Sequence, residues 1–275
     1  MTDKLTPSLT VLLDPSLGHR APLEAAALLA RNLGLRMTVV VLENPDFNAL
    51  ARLPFSRELR ISSSAWSAIE VDLVVSSFTA QLRRTERLLR DIANSLDVPW
   101  EIKQVRSRYQ AAAERFWSDR AVLVLDRPPQ VPVNQKRRYR QVLVVFDGNE
   151  AVLRAGLVLA QGIGLMMTIL VVADNVASFG ERRDQARTIL ESPVFTPAVQ
   201  ASPIPRAAHL PVQWRWQALN DDPAQSGQAI VSRLAHETRA SQSLIVLPKL
   251  SQHCPVPKAL ASLNSATIVL VPMPG

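Results

Sequence analysis

One strand–aspartate–helix–strand unit occurs twice in this chain, and the repetition restricts the fold more than any single motif does. Residues 9–42, LTVLLDPSLGHRAPLEAAALLARNLGLRMTVVVL, lie beside 142–172, VLVVFDGNEAVLRAGLVLAQGIGLMMTILVV. Asp14 matches Asp147. Beyond a three-residue insertion after Asp14, an offset of 130 matches Leu23 to Leu153, Ala27 to Leu157, Ala30 to Ala160, Gly34 to Gly164 and Thr38 to Thr168.

The repeat decides how the charge-free run 156–173, GLVLAQGIGLMMTILVVA, is read. Eighteen apolar or neutral residues come close to the ~20 that span a hydrocarbon core. The first copy, however, carries Arg31, Asn32 and Arg36 at the matching place, which a lipid-exposed span would not hold. The periodicity also changes midway. Leu23, Ala26, Ala27, Ala30 and Leu33 recur at helix spacing, as do Leu153, Gly156, Leu157, Ala160 and Ile163. Gly34 and Gly164 then stop each helix, because glycine takes the left-handed cap conformation without strain. MTVVVL and MTILVV come next, β-branched and continuously apolar, as parallel strands buried on both faces require. The run is therefore expected to be a buried helix and then a buried strand, and no membrane span is expected.

The rest of the chain fits an intracellular globular protein. At 275 residues it can form one large or two ordinary domains, and 47% hydrophobic content can build their cores. No leading apolar stretch with a basic flank suggests a secretory signal. A single cysteine, Cys254, excludes an intramolecular disulfide framework and points to the cytoplasm. The net charge of +7 is uneven. The stretch 127–140, RPPQVPVNQKRRYR, has five basic residues and no acidic one, and without it the charge falls to +2. Its three prolines oppose helix continuation. We read residues 1–130 as a first domain, 131–139 as a basic linker and 140–275 as a second domain. Lys136, Arg137, Arg138 and Arg140 are either solvated linker charges or contacts for nucleic acid or anionic lipid. Tyr139 is the only aromatic there, which offers no base-stacking platform, so any nucleic-acid binding is expected to be weak.

Repetition continues beyond the second strand. VPWEIKQV (98–105) answers LPVQWRWQ (210–217), each alternating at the strand period. Short amphipathic helices are expected at 107–117 and 224–239, then strands AVLVLD (121–126) and SLIVLP (243–248). The second copy adds a helix near 257–264 and a last strand, ATIVLV (266–271). Of the longer connections, 43–97 should hold a helix over 76–96 with Leu82, Leu88, Leu89, Ile92 and Leu96 on one face. Residues 192–211, with five prolines, are expected to be irregular. Such alternation predicts an α/β fold with right-handed crossovers and a mostly parallel, Rossmann-like sheet. Ligands of these sheets bind beyond the carboxyl ends of strands, where Asp14 and Asp147 fall.

VLLDPS (11–16), DVPWEIKQV (97–105), VLVVFDGNE (142–150) and KALASLNSATIVLV (258–271) carry a resemblance to the tandem universal stress proteins, most of all to the two-domain E type. The resemblance implies strand order 3-2-1-4-5 in each domain, pairing of domains through their last strands, and a stress-related, regulatory, usually non-catalytic role. It also implies where ATP-binding members hold their ligand: an acidic residue after strand one, backbone at the end of strand two, and a loop G-x-x-G, nine residues, G-[ST] after strand four. Asp14 and Ser16, and Asp147, Gly148, Asn149 and Val172, are the matching candidates here. The loop departs from the pattern. LPKLSQHCPVPKAL has Pro248 where the first glycine would stand and His253-Cys254 where Gly-[Ser/Thr] would stand. It is about eight residues short, and no glycine occurs from 228 to 274. The first copy lacks loop and terminal helix altogether. Since phosphate cradles need glycines that let backbone N–H groups come close, ATP is not expected as a cofactor.

Other polar residues keep two readings each. Asp14 and Asp147 bind ligand or cap the helix or loop after the strand. Lys249 meets an anion at the sheet edge or is an ordinary exposed lysine. Cys254 is activated by a helix after it or is inert. His19, His209, His236 and His253 have no metal-ligand spacing, and no G-x-S-x-G elbow occurs. Trp214 and Trp216, two apart, share a strand face as core or as a ligand wall. No metal site or enzyme is expected. Three functions stay open: a non-catalytic regulator that binds a protein partner or an apolar ligand, a divergent ATP or AMP sensor, and a binder of anionic surfaces. A homodimer is a further open partner.

Overall fold

The apolar runs form strands as expected, and their pairing builds one sheet across both copies. The computed structural model describes residues 8–14, 20–53, 55–60, 65–69, 71–117, 121–126, 139–192, 211–218, 223–238, 243–249, 260, 263 and 266–272. The first half runs β1 (Ser8–Leu13), α1 (Arg20–Leu33), β2 (Arg36–Glu43), α2 (Pro45–Ala51), β3 (Arg57–Arg60), β4 (Ala65–Ala68), α3 (Val71–Leu96), β5 (Trp100–Arg106), α4 (Tyr109–Trp117), β6 (Val122–Asp126). The second runs β7 (Gln141–Phe146), α5 (Glu150–Ile163), β8 (Met166–Ala173), α6 (Val176–Glu191), β9 (Val212–Ala218), α7 (Pro223–Thr238), β10 (Ser243–Lys249), β11 (Thr267–Pro272).

The main sheet has nine strands in the order β5-β2-β1-β6-β11-β10-β7-β8-β9. The second half shows the expected 3-2-1-4-5 order. The first half shows 3-2-1-4 and, among the described residues, has no fifth strand of its own. Its fifth place is taken by β11, which pairs antiparallel with β6, Thr267 opposite Asp126 and Leu270 opposite Leu123. All other neighbours in this sheet are parallel. The two halves therefore run in opposite directions. Asp14 and Asp147 each come after the carboxyl end of a first strand, and they lie at opposite edges of the common sheet.

Helices cover both faces, which is why the central strands need no polar alternation. α1, α3, α5 and α6 contribute to a core with Val11, Val39, Val144 and Ile169. α4 and α7 pack on the other face with Leu12, Leu123, Leu143 and Leu247. α5 ends where the sequence indicates. Gly164 takes φ 73°, ψ 41°, and its N–H reaches the Ala160 and Gln161 carbonyls. At Gly156 the reason for glycine is space: a Cβ there would stand 2.3 Å from Val144 Cγ2.

Residues 43–97 hold more than the one expected helix. α3 begins at Val71 rather than 76, and α2 and the separate β3–β4 hairpin precede it. α6 is a full helix in the connection between the second and third strands of the second half. Of the helix expected near 257–264, Leu260 and Leu263 are described and buried. The stretch 193–210, most of the basic linker and the pair His253-Cys254 lie outside the described residues. No described helix is long and apolar enough to cross a membrane.

Candidate functional site

The carboxyl edge of the second half gathers five of the seven ligand-binding candidates, Asp147, Gly148, Asn149, Val172 and Lys249. β7 ends at Phe146, and Asp147-Gly148-Asn149 turn the chain into α5. Asp147 Oδ1 accepts the Asn149 backbone N–H at 3.2 Å. Gly148 sits at φ 106°, a conformation that side chains oppose. Asn149, 7% exposed, accepts the Ala151 N–H at 3.0 Å and caps the helix. The Asp147–Asn149 bond is the one that the capping reading of Asp147 expects. Asp14, at the opposite edge, is half-buried. Ser16 lies outside the described residues.

Val172, the strand-two candidate, is fully buried, and its carbonyl accepts a hydrogen bond from the Arg182 guanidinium of α6. The neighbouring Ala173 carbonyl accepts the Trp216 indole N–H at 3.4 Å. Trp216 lies 5.9 Å from Phe179, ring centre to ring centre, tilted by 34°. The Arg183 guanidinium stands 6.0 Å over Phe179. The two tryptophans share a face, but Trp214 packs on the core whereas Trp216 stays 41% exposed.

Lys249 corrects the expectation of an exposed lysine. It is fully buried at the end of β10. Its ammonium donates to the Phe116 carbonyl at 3.0 Å and the Ala121 carbonyl at 3.1 Å. Phe116 lies in the last turn of α4, where carbonyls lack helical partners and the helix dipole is negative. A cation from the second half thus meets the helix end of the first. The antiparallel seam makes this contact available, because the carboxyl end of β10 lies beside the amino end of β6.

A second buried polar chain closes the opposite end of the seam. The Tyr139 hydroxyl donates to Thr267 Oγ1 at 2.7 Å, and Thr267 donates to Asp126 Oδ1 at 3.2 Å. Asp126 is fully buried. The sequence signal was present, since β6 ends in aspartate as VLLD and VVFD do. Tyr139 is a seam residue as well as the linker's aromatic. Arg182 had no such signal; only its place in the second turn of α6 brings it to Val172.

Of the linker cations, Arg140 is described and exposed, while Lys136, Arg137 and Arg138 lie outside the described residues. His236 is exposed. Among the described residues no group of three or more His, Cys, Asp or Glu could hold a metal. The resolved carboxylate shift belongs to Glu101 on β5, far along the chain from these sites. Lys103 at 2.9 Å, and next the Thr38 hydroxyl at 2.8 Å, hold its carboxyl below the ordinary 4.5.

No protein-family model matches the chain, and no curated relative matches it. Among solved structures, it is similar to a universal stress protein from Archaeoglobus fulgidus DSM 4304 at 11% identity, with 97% of each chain covered and a TM-score of 0.46. It is also similar to the cytoplasmic domain of a prokaryotic cation chloride cotransporter at 11% identity, covering 96% of this chain and 95% of that one, with a TM-score of 0.37. The α/β class rests on this chain's own strand pairing.

Proposed function

We propose that the chain is a non-catalytic stress-response or regulatory protein of the universal stress type that its repeat resembles, acting through a protein partner or an apolar ligand in the cytoplasm. One observation carries this reading: polar groups at the expected ligand edge of the second half have partners within the protein. Asp147 and Asn149 cap their turn and helix. The Val172 carbonyl is occupied by Arg182, and Lys249 is buried against Phe116 and Ala121. A nucleotide that needs the Asn149 side-chain oxygen, the Val172 carbonyl or the Lys249 ammonium would compete with these bonds, each worth about 0.5–3 kcal/mol. The shortened, glycine-free loop supports the same conclusion, because a phosphate needs converging N–H donors at close range. A regulator needs no such pocket. The test is mass spectrometry of small molecules released on denaturing the purified protein. An apolar ligand, or none, is expected; stoichiometric ATP or AMP would replace this reading with that of a nucleotide sensor.

A further inference from the structure

At the ends of their second and third strands the two halves of the repeat differ. In the first half Gln104 of β5 donates its side-chain amide to the Glu43 carboxylate at the end of β2, at 3.0 Å. The strand registers identify the matching residues of the second half. Gln104 stands opposite Val41 as Trp216 stands opposite Val171, and Glu43 matches Ala173 by the offset of 130. An aromatic ring and a methyl group therefore stand where the first half has a polar pair. Trp216 stays 41% exposed although its indole donor is already used by the Ala173 carbonyl.

α6 supplies the surroundings. Val176, Gly180 and Arg183 follow at i, i+4 and i+7 and share one stripe of that helix, with Phe179 beside them. Phe179 is the ring that Trp216 meets, at 5.9 Å, and the Arg183 guanidinium stands 6.0 Å over it. Val176 is 68% exposed. Gly180 has no packing or backbone reason to be glycine. Inside a helix glycine is less stable than other residues, and Gly180 does not take a positive φ. A Cβ there would meet nothing within 4 Å, unlike one at Gly156 or Gly162. What this glycine does provide is an open floor next to Phe179, between Val176 and Arg183.

We propose that Trp216, Phe179 and the Val176–Gly180–Arg183 stripe bind a small planar aromatic molecule that carries one anionic group, such as a carboxylate. This rests on the proposed function, in which an apolar ligand is one mode of action, and it names the place and class of that ligand. Rings favour other rings at centre separations of about 4.5–7 Å, the spacing that Trp216 and Phe179 already keep. Charge decides the substituent. The described charged groups on α6 are Arg182, Arg183 and Arg187, and Glu181 and Asp184, with Asp174 just before the helix. Arg182 is taken by the Val172 carbonyl. Arg183 and Arg187 lie on the stripe, whereas Glu181 and Asp184 each stand one residue off it, about 100° round from Gly180 and Arg183. Asp184 reaches Arg183 at 3.1 Å, but the two side chains are 39% and 63% exposed. Such a pair contributes little, so a ligand carboxylate can take its place with two parallel N–H bonds. A cationic ring would meet a guanidinium already stacked on Phe179.

The test is a fluorescence titration of the full chain with 1-anilinonaphthalene-8-sulfonate, which joins aromatic rings to one sulfonate. One site with a Kd of about 10–100 μM is expected. Trp216→Gln, the first half's side chain at this place, should weaken binding at least about tenfold, and Arg183→Gln at least about fivefold. Gly180→Gln should weaken binding while raising the thermal midpoint by about 2 °C, since glutamine is the better helix former; damage to the fold would not produce that combination. Phe55→Ser with Trp66→Ser, which removes two exposed aromatic rings elsewhere, should leave the titration unchanged. No saturable binding, equal binding in Trp216→Gln, or loss of the signal in the Phe55/Trp66 variant instead overturns the inference. Displacement by octanoate as effective as by 2-naphthoate also overturns it, by assigning the site to an acyl chain. Stoichiometric ATP released on denaturation would overturn the proposed function and leave this titration standing, whereas a failed titration would leave a regulator that acts through a protein partner.

Discussion

Replacing Lys249 with methionine keeps the unbranched apolar stem and removes the ammonium, so it isolates the polar link between the two halves. Two part-buried carbonyls, those of Phe116 and Ala121, lose a charged donor at 3.0 and 3.1 Å. Bonds to a charged group contribute about 1.5–3 kcal/mol each. Relief from desolvating a buried ammonium offsets part of the loss. A net destabilisation of about 2–3 kcal/mol remains, a large fraction of a typical folding free energy. With a urea slope of about 3 kcal/mol/M for a chain of this size, the unfolding midpoint should fall by about 1 M. Circular dichroism of the full chain in urea measures it. Lys249→Arg, which keeps a donor, should lose less than the methionine variant. A methionine variant with a midpoint within about 0.2 M of wild type, or above it, would refute the assignment of Lys249 as the link.

Two further outcomes are expected. Gly156→Ala should cost about 1–3 kcal/mol by overpacking, because the new methyl meets the stiff, buried Val144 at 2.3 Å, whereas Gly162→Ala meets the flexible end of Leu28 and should cost less; thermal unfolding compares the two. Glu101→Gln should lower stability at pH 7 by a few tenths of a kcal/mol, given the exposure of the Lys103 pair. A folded pKa held down contributes stability above the unfolded value and loses it as pH falls through the folded one. The difference between Glu101→Gln and wild type should therefore close as pH drops below 4.5, which denaturation at stepped pH reads directly.

Strand and helix content was legible because each element announces its period. Leu153, Leu157 and Ala160 mark a helix face, Gly164 marks its end, and MTILVV has the continuous apolarity of a strand covered on both sides. The position of Asp147 after its strand was equally plain. Long-range partners were not. Lys249 comes directly after SLIVLP, and nothing local distinguishes a lysine that returns to solvent from one that reaches α4 of the other half. That depends on the antiparallel β6–β11 seam, which brings together residues more than 120 positions apart. Arg182 is hidden for the same reason, since its partner is a backbone carbonyl and carbonyls leave no trace in sequence. The cap of α2 and the β3–β4 hairpin was missed because its strands are only four residues long and interrupt a region of mixed character.

The aspartate edge of the second half, whose polar groups have partners within the protein, is expected to leave a nucleotide unbound. Isothermal titration of the purified chain with MgATP at millimolar concentration tests it most directly. Heat no larger than dilution is expected, corresponding to a Kd weaker than about 1 mM, or −4 kcal/mol. A Kd below about 10 μM, roughly −7 kcal/mol, would mean that this edge takes a nucleotide alongside its present partners and that another phosphate contact replaces the glycine-rich loop, which contradicts the proposed function.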